Sequence, residues 1–232
     1  MQAPFSLTQP SLAAVQTTLA QARFTKYLHA CHNDWQATVQ LYRWNTLLCQ
    51  SLWWPLQTLE IASRNSISRI LAERFGPRWH FSDKLRGALS REDRDKLLDA
   101  IDRQIKERHM AYPPIDAVIA DLSFGFWTSM LTNRYDVPIG WARRLTNAYP
   151  HLPNGYTRQA IWRQMEDVRN LRNRIAHHEP IFYLPVEARY QTIAQLLSWI
   201  CPYTAWFVEQ TCAFAQTIEI KPHFYLPVAL RR

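Results

Sequence analysis

The sequence predicts an all-α protein, and three observations carry that prediction. Only 5 glycines occur in 232 residues, too few for a sheet protein built on tight turns. The 14 prolines instead punctuate long segments whose apolar residues recur at helical spacing. A hydrophobic content of 47%, with 10 tryptophans, supplies a sizeable core and argues against disorder.

In chain order, helices are expected over 11–30, 34–51 and 54–75, with Pro55 just inside the third. On that third helix Trp53, Leu56, Ile67 and Leu71 share a face at about 100° per residue. Glu60 and Arg64 fall within or beside the same stripe, four residues apart, with Asn65 nearby. Desolvating a charge costs several kcal/mol, so the two either satisfy each other as an i,i+4 pair or line a polar cleft. A short helix is expected over 83–88. Ser90, followed by Arg-Glu-Asp, reads as an N-cap before an acidic first turn and starts a helix over 91–109. That helix is highly charged, with a narrow stripe of Leu97, Leu98, Ile101 and Ile105, and reads as a solvated outer helix. A helix follows over 115–132. Residues 133–156, rich in Pro, Asn and Gly, read as a long loop.

The helix over 157–178 carries Ile161, Met165, Val168 and Ile175 as its stripe, and Arg172 lands inside it. An unpaired buried arginine is hardly tolerable, so Arg172 needs a carboxylate or a phosphate, and Glu60 is the obvious candidate in the chain. The last helices are expected over 187–200 and 203–218. The most apolar stretch, 193–208, is interrupted by Gln195, Ser198, Pro202 and Thr204, which suits a buried helix better than a membrane span. No internal repeat or low-complexity tract appears. The reading is therefore one domain over 1–232, with its core at about 20–218 and short extensions.

The balance of 27 Lys+Arg against 19 Asp+Glu gives +8 and a pI near 9.5. Such a charge fits a polyanionic partner, of which nucleic acid is the commonest, although simple solubility charge would look the same. Cys31, Cys49, Cys201 and Cys212 show no C-x-x-C pair and no zinc-finger spacing, so they read as reduced thiols of a cytoplasmic protein. The start, Met-Gln-Ala-Pro-Phe-Ser, lacks the basic opening of a signal peptide. His29, Cys31 and His32 resemble a metal cluster only loosely, and no cofactor or metal is expected. Zincin, nucleophile-elbow, P-loop and dinucleotide motifs do not occur.

Residues 171–179, Leu-Arg-Asn-Arg-Ile-Ala-His-His-Glu, carry the chemistry. An arginine holds a phosphate with two parallel charge-assisted bonds, and a histidine moves protons near neutral pH. Arg172 and His177 with Asn173 are nearly sufficient to cleave RNA without a metal, because the 2′-hydroxyl of the RNA can be the nucleophile. Arg172 and His177 diverge by about 140° on a straight helix, so either the arginine reaches round or the helix loosens near His177 ahead of Pro180. Asn173 and His177 share another face, with Arg169 and Glu166 close by. A helix ending in two histidines could equally use imidazolium charge against its dipole.

The same string resembles the R-x(4–6)-H motif of HEPN ribonucleases, in the Arg-Asn-x-x-Ala-His-His form of the Abi-like (abortive infection) family. Leu59-Glu-Ile-Ala-Ser-Arg-Asn65 resembles the first motif helix of that family, and Leu122-Ser-Phe-Gly-Phe-Trp127 its Leu-Ser-Phe-Gly-x-Trp segment. Glu179 and Pro180 depart from the commoner His-His-x-Arg form. The Phe-Gly-Phe-Trp aromatics read as packing. The resemblance implies an all-α HEPN-like helical bundle with additional helices, dimerised so that two motifs face one cleft. It implies a metal-independent endoribonuclease used in phage defence or toxin–antitoxin arrest, with RNA as substrate, in some relatives restrained by a small RNA. Arg172, His177 and Asn173 would be catalytic, with His178, Glu60, Arg64 and Asn65 in support and Arg169 and Arg174 available to the RNA. His178 could be a second proton-transfer group or merely a cap. The rivals are a non-catalytic RNA- or protein-binding helical module, and a motif that is itself modified by a partner transferase.

Overall fold

The structure, a computed structural model, describes residues 8–222, and the reading of the first six residues as lacking a leader lies outside them. Among the described residues every regular element is helical, so the fold is all-α as expected. The helices are α1 (Gln9–Leu19), α2 (Gln21–Ala30), α3 (Trp35–Phe75), α4 (Asp83–Ala88), α5 (Arg91–Arg108) and α6 (Ile115–Asp121). They continue with α7 (Phe124–Ser129), α8 (Trp141–Ala148), α9 (Arg158–Ala176), α10 (Val186–Ile200), α11 (Pro202–Thr211) and α12 (Phe214–Glu219).

Two expected helices are one. α3 runs for 41 residues straight through Pro55. A proline there withholds the N–H that the Ser51 carbonyl would receive. The Cys212 thiol donates to that carbonyl over 3.2 Å, so a weak donor from far along the chain fills the gap. Conversely, three expected helices are split. The span 11–30 breaks at Ala20, whose φ is 64°. The span 115–132 breaks at Leu122 and Ser123, both extended, and Phe124, Phe126 and Trp127 are then all buried. The span 203–218 breaks around Cys212 and Ala213, where the thiol is held by Ser51.

Residues 133–156 are not a plain loop. A 3-10 turn (Asn133–Tyr135), a π-helical turn (Asp136–Gly140) and α8 occupy most of the segment. Burial of Tyr135, Ile139, Trp141 and Tyr149 overrides the turn-rich composition. Arg158 pairs with Asp136 at 2.6 Å, and the Trp141 indole donates to the Met130 carbonyl at 2.8 Å. Gly140 opens α8 at φ 77°, and a β-carbon there would lie 2.6 Å from the Arg144 guanidinium.

The chain divides into two compact units. Of the described residues, the first comprises 8–54, 173–186 and 212–222. Its core gathers Phe24, Tyr27, Leu41, Trp44, Leu48 and Phe182. The Tyr27 ring lies 5.2 Å from Tyr42 and 4.9 Å from Phe182, and the Trp44 indole donates to the Thr217 carbonyl at 2.8 Å. His32 and Asn33 both take left-handed backbone in the turn after α2.

The second unit comprises 55–172 and 187–211. Leu59, Ile67, Leu71, Trp79, Leu97, Trp127, Ile161, Met165 and Ile193 lie in its core. The buried face of α5 is Asp93, Leu97, Ala100, Ile101 and Gln104; Leu98, expected in the stripe, is exposed. The apolar stretch 193–208 also differs from expectation. α10 buries Ile193, Leu196, Leu197 and Trp199, but α11 buries only Val208 and exposes Tyr203, Trp206 and Phe207. No helix among the described residues is long and apolar enough to cross a membrane.

Candidate functional site at the end of helix α9

In the second unit α3 and α9 lie side by side. Leu56, Leu59, Ser63 and Ile67 from one, and Ile161, Met165 and Val168 from the other, are all buried. The Ser63 hydroxyl lies 3.9 Å from the Met165 sulfur. The stripe expected on α3 holds except at Trp53, which is exposed. Along this seam Arg172 Nε meets Glu60 Oε2 at 3.3 Å, with side-chain exposures of 33% and 19%. Arg172 therefore lies at the rim of the seam, while Leu171 and Ile175 continue the buried stripe.

Arg64 is one turn along from Glu60 and half-buried, and Asn65 is exposed. Among the described residues Glu60 pairs with Arg172 and not with Arg64. The Arg64 Nε is buried and has no hydrogen-bond partner among the described residues. Glu60 is thus taken by the arginine of α9 rather than by the arginine one turn along its own helix.

The first unit holds the remainder of the motif. Helical bonding continues to His177, whose N–H donates to the Asn173 carbonyl at 2.9 Å. The helix does not loosen there. His178 N–H donates to Ile175 at 3.0 Å and Glu179 N–H to Arg174 at 2.8 Å, while His178 takes φ 57°. These two bonds and the left-handed residue make a Schellman cap, with His178 where glycine is usual. The hydrophobic contact that often clasps such a cap is replaced by an ion pair, Arg174 to Glu179 at 3.1 Å. Arg174 also donates to the Tyr183 hydroxyl. Next, Asn45, buried on α3, accepts from the N–H groups of Ile181 and Phe182 at 2.8 and 3.0 Å through one oxygen. The turn is held from both sides, and His177 and His178 are both exposed on it.

Arg169 and Arg174, the arginines expected to be available to RNA, are both engaged. Arg169 Nη2 lies 2.7 Å from Glu166 Oε2, and its Nε reaches both carboxylate oxygens. Burial alone would raise the Glu166 pKa, but hydrogen bonds from Arg169 and Thr128 outweigh it and hold the carboxyl below its ordinary range. Among the described residues no three His, Cys, Asp or Glu side chains gather in a way that could hold a metal ion.

The family model described as Abi-like protein matches residues 17–183, well over half of the chain. The chain belongs to the Abi-like protein family. No curated protein and no solved structure matches it. The matched stretch of this Abi-like chain includes α3, the Leu122–Trp127 segment and the whole motif, and it closes on Tyr183, the residue that receives Arg174.

Some members of the site went unread in the sequence. Asn45 was readable as a lone amide on the apolar face formed by Leu41, Trp44, Leu48 and Leu52. Asp93 is another. Its buried carboxylate accepts from Ser90, Ser129 and Tyr135 at 2.9, 2.8 and 2.6 Å. The Ser-x-x-Asp box at the start of α5 was its signal. Asp93 lines a cleft of about 300 Å³ with Lys96, Arg134, Trp162, Glu166 and Arg169, in which both signs of charge meet.

Proposed function

We propose that this Abi-like chain is a metal-independent endoribonuclease of the HEPN type, acting as a toxin or abortive-infection effector. One observation supports it best: Arg172, paired with Glu60 at the rim of the α3–α9 seam, lies on the helix that ends in the exposed His177. The 2′-hydroxyl of the substrate attacks the adjacent phosphorus, and its proton passes to a base. The 5′-oxygen leaves with a proton from an acid, giving a 2′,3′-cyclic phosphate and a 5′-hydroxyl. His177 is the proton-transfer group, and its exposure lets substrate reach it. Arg172 places its guanidinium on the phosphorane, where charge accumulates, with Arg64 beside it. Asn173, one turn before His177, orients the imidazole or the phosphate.

His178 occupies the cap position, which favours a structural role for it over a second proton-transfer role. Because Arg172 and His177 leave their helix in different directions, the proposal includes a homodimer whose interface involves the α3 and α9 surfaces, so that one copy's Arg172 faces the other's His177. A small-RNA antitoxin fits the +8 charge.

The test is cleavage of total RNA by the purified chain, with and without EDTA. Cleavage should persist in chelator and vanish in His177→Ala, while that variant keeps most of its RNA affinity. Full loss in EDTA with restoration by magnesium would sink the mechanism. Undiminished cleavage by His177→Ala would remove the assigned residue, and RNA binding with no cleavage by the wild type would favour the binding module.

A further inference from the structure

Away from the α9 motif, the second unit carries an open groove of about 560 Å³ lined by Phe75, Gly76, Pro77, Arg78, Phe81, Ser82 and Tyr112. No carboxylate is among these residues, unlike the cleft beside Asp93. The Arg78 guanidinium lies 5.3 Å from the Phe81 ring centre and 5.4 Å from that of Tyr112. A second guanidinium, Arg86, lies 5.6 Å from Phe81 on an arm that donates to the His80 carbonyl. Phe81 is half-buried, packs on the His80 ring at 4.2 Å and meets Tyr112 edge to face at 77°, so the open ring of the groove is Tyr112. Tyr112 is 69% exposed, an unusual state for a tyrosine already in contact with a ring and an arginine. Arg78 forms no ion pair among the described residues and is exposed. A β-carbon at Gly76 would meet nothing within 4 Å, which leaves the groove open at that point.

We propose that this groove is a binding site for single-stranded RNA, which stacks a base on Tyr112 and sets a neighbouring phosphate against Arg78. An exposed ring beside an unneutralised guanidinium is what a splayed nucleotide requires, a flat surface for the base and a cation for the backbone. A cationic ligand would meet the guanidinium already in the cage. An acidic peptide would satisfy Arg78 but leave the ring face unused. The proposal takes RNA as the ligand from the proposed function and gives it a hold separate from the Arg172 and His177 chemistry.

The experiment measures binding of a fluorescent short oligouridine to the full chain carrying His177→Ala, so that turnover does not enter. Tyr112→Ala should weaken binding about 5- to 150-fold, the range expected for loss of one stacked base, and Tyr112→Phe should restore most of it. Arg78→Ala should weaken binding and flatten the salt dependence by about 0.7 in slope, as loss of one phosphate contact on a single strand. Arg91→Ala, which removes equal charge outside the groove, is the control. A duplex of the same length should show no dependence on Tyr112. Absence of oligouridine binding, indifference to Tyr112→Ala, or equal loss in Arg78→Ala and Arg91→Ala would overturn the proposal. So would an oligoglutamate peptide whose binding falls with Tyr112→Ala as much as the RNA's does. Groove-dependent binding in a chain that cleaves no RNA would instead refute the nuclease and leave this site standing.

Discussion

Glu60 and Arg172 show how exposure sets the worth of a charge pair. Breaking a fully buried pair costs about 3–5 kcal/mol, but this one lies at the rim of the α3–α9 seam, a third and a fifth exposed. Water reaches both groups, so Glu60→Gln should cost about 1–2 kcal/mol of stability. Activity should fall further than stability, because the carboxylate fixes where the guanidinium points as well as neutralising it. Thermal melts beside an RNA cleavage assay check both. A variant that melts and cleaves like the wild type would mean that Glu60 does not position Arg172. The pair was legible in the sequence because two charges interrupted two apolar stripes. The partner of each was less so: Glu60 has Arg64 at i+4 on its own helix, and spacing alone does not say that Arg172 takes it instead.

At the scale of the helix, His178 is where α9 stops. A side chain in left-handed backbone costs about 1 kcal/mol relative to glycine, so His178→Gly should leave the chain as stable or raise its melting temperature. If His178 only caps, cleavage should be unchanged. Loss of cleavage in a folded His178→Gly chain would make it a second proton-transfer group.

Helix starts and stops written in nearby residues were readable, as with the Ser90 cap and the ends of α9 within two residues. Those set by distant partners were not. Pro55 marks a helix boundary to any local reading, and the thiol that meets the freed Ser51 carbonyl comes from Cys212, 161 positions away. The helical turns over 133–148 follow from burial of Tyr135, Ile139 and Trp141, which composition does not reveal. The exposed aromatic face of α11 was hidden for the opposite reason, since apolar composition reads as burial.

For the whole molecule the proposed reaction requires that one phosphate meet both Arg172 and His177. Regular bonding holds through His177, so the two side chains leave the axis about 140° apart. Arg172 is drawn to Glu60, while His177 is exposed at the cap. A two-fold dimer offers a simple geometry, in which Arg172 of one copy and His177 of the other serve one phosphate, twice per dimer. Complementation tests this. Arg172→Ala and His177→Ala chains should each be inactive alone. Mixed and re-equilibrated, half the dimers would be heterodimers with one intact site of two, so about a quarter of wild-type activity should return. If no activity returns although the mixed dimer forms, each site draws both groups from one chain, or needs all four at once. Cleavage at full rate by a monomer would remove the dimer from the mechanism altogether.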